Sequence, residues 1–172
     1  MLKLVLRITL ILIGTAGLSD TLQAQERATP EEVVQKVTDA AKYLSKAGEA
    51  GLKKFQSKDS EYVWKDTYVV VNNCETEQIA AHPIMPKLAG SSFADAPTFS
   101  KLTSKQLGEL LCETGKRPQG GWAEYLFPKP GEKEVSRKLS YSKAVGNTPY
   151  VVTGGIYDDK VTIEELEKII TE

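Results

Sequence analysis

Histidine is nearly absent from this chain of 172 residues: His82 is the only one, and cysteine, methionine and tryptophan each occur twice. A histidine-centred triad therefore has to set His82 against a serine or a cysteine, and no Gly-x-Ser-x-Gly elbow supplies the serine. The glycine pairs Gly120-Gly121 and Gly154-Gly155 stand alone, outside any Gly-x-Gly-x-x-Gly or phosphate-binding loop, and read as points of close backbone approach. No Cys-x-x-Cys spacing occurs, so zinc and haem attachment are not indicated, and no metal or cofactor is expected. An excess of one charge is missing too. The 22 basic and 23 acidic side chains are interspersed, which leaves no basic stripe for a nucleic acid.

Long hydrophobic runs are confined to the N-terminus. A positive start with Lys3 and Arg7 precedes an apolar run from Ile8 to Leu18, and Leu22-Gln23-Ala24 closes it. That order reads as a secretory signal peptide over residues 1–24, with a cut after Ala24. The run is shorter than the roughly 20 residues that span a bilayer, and Ser19, Asp20 and Thr21 follow it, which argues against an uncleaved anchor. Residues 25–172 then form one domain in the periplasm or beyond it. Thiols oxidise there, so Cys74 and Cys112 either form a disulfide or remain two buried apolar thiols.

Thr29-Pro30-Glu31-Glu32 has the form of a capping box with proline in the first turn. Val33, Val34, Val37, Ala40, Ala41, Leu44 and Ala47 recur behind it at helical spacing, predicting a helix from Pro30 to about Lys54, weakened by Gly48 and Gly51. Its apolar stripe covers a sheet or, alternatively, serves a homodimer or other partner. Tyr62 to Val71, rich in strand formers, reaches a turn signal at Asn72-Asn73, and Ile79 to His82 returns as a second strand before Pro83. A helix capped by Thr103 or Ser104 follows, with Leu107, Leu110 and Leu111 inward. Three strands come next, Trp122 to Phe127, Val135 to Val145 and Tyr150 to Tyr157, and a last helix opens at Thr162. The short connections make the strands antiparallel, so the expected class is α+β with a long first helix on a five-stranded antiparallel sheet.

His82, between an apolar strand and a proline, is either structural or a donor at the end of the sheet. On the strand after Arg137, alternation puts Lys138, Ser140 and Ser142 on one face and Leu139, Tyr141 and Lys143 on the other. Lys138 is a solvated lysine or a ligand group, and the aromatics around Trp122, Tyr125, Tyr141 and Tyr150 close a core or wall a pocket. Glu124, Asp158 and Asp159 make a catalytic carboxylate pair only if folding gathers them into one cleft.

Ala81-His82-Pro83, Leu88-Ala89-Gly90, Gly121-Trp122-Ala123-Glu124-Tyr125, Pro128-Lys129-Pro130, Lys138-Leu139-Ser140-Tyr141 and Gly155-Ile156-Tyr157-Asp158, taken in that order, resemble the single Cache domains of the second type. These are PAS-like extracytoplasmic sensor modules of bacterial chemoreceptors and sensor kinases, and the resemblance covers residues 30–160. It implies a long N-terminal helix on one face of an antiparallel sheet and, on the other, a pocket for a small organic acid such as pyruvate, acetate, lactate or propionate. It implies ligand-binding roles for His82, Trp122, Tyr125, Lys138 and Tyr141: hydrogen bonds or charge from His82 and Lys138, phenolic donors from Tyr125 and Tyr141, and an apolar wall from Trp122.

The segment Ser91 to Thr98 departs from the family's Asp-rich, glycine-containing loop, so ligand preference does not carry over. The chain ends at Glu172 without a following transmembrane segment, kinase or methyl-accepting region, and the expected partners are a small organic anion and a membrane protein that reads it. Two readings follow. One is a non-enzymatic binding or sensor module for a small carboxylate. The other is a structural or interaction subunit that leaves the pocket unused, marked by an exposed apolar patch over Val33, Val37, Ala41 and Leu44. A third, an enzyme pairing His82 with Glu124, needs those two side chains within reach of each other.

Overall fold

The computed structural model describes residues 26–99 and 101–171; the leader and its cut lie outside the described residues. Helix α1 spans Pro30–Ala47 and opens with both bonds of the capping box, from the Glu32 N–H to Thr29 Oγ1 and from the Thr29 N–H to Glu32 Oε2. It ends earlier than the apolar spacing suggests. Gly48 takes a positive φ of 60°, a conformation glycine adopts without strain, and the chain tightens into a 3-10 helix over Gly48–Phe55.

Six strands follow the expected order: β1 (Val63–Trp64), β2 (Thr67–Asn73), β3 (Gln78–Ala81), β4 (Gly121–Pro128), β5 (Val135–Ala144) and β6 (Tyr150–Tyr157). The antiparallel order is β1-β2-β6-β5-β4, with β3 also paired to β2. Two-residue β1 meets Thr67 and Tyr68 while β3 meets Val71 to Asn73, so both lie along one edge of β2 and the sheet is five positions wide. Asn72 and Asn73 belong to β2 rather than to the turn. The turn lies beyond them, where Asn73 Oδ1 accepts from the Glu75 and Thr76 N–H groups and Glu77 takes a positive φ of 52°.

Helix α2 (Ser104–Gly115) is capped by Thr103, in a box with Gln106, and α3 (Ile163–Ile169) by Thr162 with Glu165. Cys74, just past β2, is bonded to Cys112 of α2, with Cα atoms 5.8 Å apart, which settles the pairing the sequence leaves open. Closing that loop contributes on the order of 4 kcal/mol in the chain-entropy account.

The sheet has two covered faces. Val33, Val37, Ala40, Ala41 and Leu44 of α1 pack on Val69, Val71, Trp122, Leu139, Tyr141, Val152 and Ile156, with Leu166 of α3 alongside. The apolar stripe of α1 is thus buried against its own sheet, and the exposed patch that would mark an interaction subunit is not formed. Gly154 permits this approach, since a Cβ there would come within 3.0 Å of Val37. The opposite face carries α2 and the chain between β3 and α2.

Candidate functional site

Strand alternation decides what the second face presents. On β2, Val69 and Val71 go to the α1 core, so Tyr68, Val70 and Asn72 face the other way. Tyr125 and Phe127 of β4, Lys138 and Ser140 of β5 and Thr153 of β6 share that face. Met85, Leu88, Phe93 and Phe99 close over them, together with Leu107 and Leu111 of α2. Gly108 lets α2 come close, because any side chain there would overlap the Phe93 ring. The result is a cavity of about 90 Å³ with a largely apolar wall and a few polar groups at fixed positions.

Lys138 is the charged group of this cavity. The residue is 4 % exposed, and Nζ lies 4.6, 4.9 and 5.1 Å from the ring centroids of Tyr68, Tyr157 and Phe127. The ring faces attract the cation, but among the described residues no carboxylate comes within ion-pair distance of it, and no acidic residue lines the cavity. Burial lowers its pKa to about 7, with distant Asp66 opposing the shift. The ammonium is therefore poised between its charged and neutral forms, and an anion in the cavity favours the charged one.

His82 follows β3, and its ring lies 5.1 Å from that of Tyr68. Its Nδ1 accepts the Met85 N–H at 3.1 Å, which assigns the ring proton to Nε2. Burial, and secondarily the Lys138 charge, lowers its pKa to about 3. At neutral pH His82 is thus a neutral hydrogen-bond donor and contributes no charge. Tyr125 Oη lies 2.9 Å from Ser140 Oγ, and burial pushes the phenol up to about 12, while Tyr68 is raised by burial as well. Both stay protonated donors near neutrality. The neighbouring hydroxyls of Ser142 and Thr153 bond each other at 2.8 Å.

A cation, a neutral imidazole donor and phenolic donors with no acid among them suit a small anion with an apolar body. The profile of the single Cache domain 2 family matches residues 21–170. The chain belongs to that family. This Cache domain is also similar in fold to a Cache chemosensory domain described as the structural basis for carboxylic acid recognition: 24 % identity, TM-score 0.53, 74 % of this chain and 89 % of that one covered. The periplasmic sensor domain of a chemotaxis protein is similar at 23 % identity and TM-score 0.54, covering 75 % of this chain and 90 % of that one. A methyl-accepting chemotaxis protein from Vibrio parahaemolyticus is similar at 18 % and 0.52, with 75 % and 83 % covered.

Of the five residues that the sequence motifs single out, the Cache domain brings three together: His82, Tyr125 and Lys138 line the cavity. Trp122 and Tyr141 pair across β4 and β5 on the opposite face, their rings 5.6 Å apart inside the α1 core. The Tyr141 hydroxyl donates to the Gln119 carbonyl and Trp122 Nε1 is buried without a partner, so neither side chain reaches the cavity. Glu124 alternates onto that same opposite face and binds Arg137 Nη2 at 2.7 Å, away from His82, which removes the proposed acid–base pair. Asp158 accepts the Lys160 and Val161 N–H groups in a turn. The motifs assign no role to Tyr68, Asn72, Phe127 or Thr153, nor to Ser140, although it stands in the Lys-x-Ser-Tyr motif. Period-two alternation along β2, β4, β5 and β6 is the signal that groups them.

Proposed function

We propose that the domain is a periplasmic sensor module that binds a small organic monocarboxylate in this cavity without turning it over. The observation that carries the reading is the Lys138 ammonium, buried under three aromatic rings with no acidic residue in the wall. A carboxylate supplies the missing counter-charge. His82 Nε2–H and the Tyr68 and Tyr125 hydroxyls are the neutral donors near it, and one charge-assisted hydrogen bond in such a setting contributes roughly 1.5–3 kcal/mol. The secretory leader read from residues 1–24 and the periplasmic origin stated for one similar domain support the location. Presentation of the occupied domain to a membrane partner completes the role.

Thermal unfolding against C2 to C6 acids, amino acids and neutral amides tests this, because a ligand that binds only the folded state raises the midpoint. A concentration-dependent rise with a short acid, lost in Lys138→Met, is expected. No rise with any acid, or a rise that survives Lys138→Met, sinks the reading.

A further inference from the structure

Acetate or pyruvate anchored at Lys138 leaves part of this cavity without a role. Asn72 is 4 % exposed, faces the cavity from β2, and its amide makes no side-chain hydrogen bond among the described residues. An amide offers two donors and an acceptor, and this one is not sealed off: the fully buried side-chain atoms without a partner among the described residues are Trp64 Nε1 and Trp122 Nε1, so the Asn72 amide stays accessible where the residue lines the cavity. Val70 and Leu111 are apolar, and the Thr153 hydroxyl is already bonded to Ser142.

Tyr68, over whose ring the Lys138 ammonium sits, and Asn72 are four residues apart on the same face of β2, roughly 13 Å along the strand. A two- or three-carbon acid is shorter than that backbone separation. We infer that the cavity is built for a linear monocarboxylate with a neutral hydrogen-bonding group near its far end, a hydroxyl or carbonyl, held between Lys138 and Asn72. The inference rests on the carboxylate reading above and extends it to ligand length and end group.

Length and charge agree with this. Lys138 reaches inward and each end of the ligand makes a hydrogen bond about 2.8 Å long, so about four or five carbons span the remainder. A cavity of about 90 Å³ holds about six to nine water-sized atoms, the size of such a chain. The far group has to be neutral. A second carboxylate would face an amide in an apolar pocket with no cation to meet it, which disfavours dicarboxylates.

Calorimetric titration of the protein with gamma-hydroxybutyrate against butyrate, and with levulinate against valerate, separates the far group from chain length. Each oxygenated acid is expected to bind about tenfold more tightly than its plain counterpart, with glutarate weaker than either oxygenated acid. In Asn72→Leu the ratio of oxygenated to plain acid falls to near one. Asn72→Ala serves the same purpose if the leucine chain does not fold. Equal affinities within each pair, glutarate as the tightest ligand, or a preference that survives removal of the amide overturns the inference and means that ordered water satisfies Asn72. Lys138-dependent binding of acetate with no chain preference overturns it while leaving the carboxylate reading intact. No binding by any acid overturns both.

Discussion

The two faces of one sheet differ in what they leave unfinished. Toward α1 the strands present valines, Leu139, Tyr141 and Trp122, packed into a continuous cluster with α1 and α3. Toward α2 the same strands present Lys138, Ser140, Thr153, Tyr68 and Asn72 around a cavity. Adjacent residues of β5 therefore serve opposite ends: Leu139 is fully buried to hold the domain together, and Lys138 is buried with no acid opposite it. A cationic side chain in that state adds nothing to folding, and the first face has to offset its cost. The difference separates the part of the molecule that makes the fold from the part that is completed by a ligand.

Leu139→Ala breaks the packed face. Removing a wholly buried leucine from that cluster is expected to lower unfolding stability by about 2–5 kcal/mol in denaturant titration, with the carboxylate preference unchanged in the fraction that remains folded. Lys138→Met, one residue away, has the opposite sign. The empty protein becomes more stable, because a buried group with a lowered pKa is replaced by an apolar chain of similar length, while the response to carboxylates disappears. If Lys138→Met destabilised the empty protein by as much as Leu139→Ala, the two faces would not differ in kind.

The same contrast has a pH signature. Folding lowers Lys138 from an ordinary 10.5 to about 7, so the unfolded chain holds more protons between those values and the stability of the empty protein rises with pH across that window. His82, lowered from 6.5 to about 3, makes stability fall as pH drops through that lower range. A carboxylate in the cavity keeps Lys138 charged, so its dissociation constant grows above pH 7 as the free protein loses that proton. Denaturant midpoints from pH 6 to pH 10 check this directly. Identical slopes in the wild type and Lys138→Met would show that Lys138 does not titrate there.

Much of this division is written locally. The capping residues Thr29, Thr103 and Thr162, the stripe from Val33 to Leu44 and the meander of β4 to β6 read directly from spacing, because each depends on neighbours along the chain. Alternation on β5 separates Lys138 from Tyr141 without a structure. Which of the two faces would carry α1 and which a cavity depends on packing between distant elements, and the Gly-Trp-x-x-Tyr and Lys-x-Ser-Tyr motifs, taken whole, blur it by mixing residues of both faces. Asn72-Asn73 misleads for a different reason. Asn73 caps the turn with its side chain alone, which leaves both asparagines in the strand. The disulfide needed the fold to bring Cys74 beside α2.

Tyr141 gives the smallest and sharpest test of the boundary between the faces. The residue is 1 % exposed in the α1 core and its hydroxyl donates to the Gln119 carbonyl, just before β4. Removing that hydroxyl in Tyr141→Phe leaves the ring packing in place and forfeits one hydrogen bond, a cost of about 1 kcal/mol. The carboxylate-induced rise in unfolding midpoint should match the wild type, because the sheet stands between this hydroxyl and the cavity. A selective loss of that rise at near-normal stability would mean that Tyr141 reaches the ligand, and that the two faces exchange residues when the site is occupied.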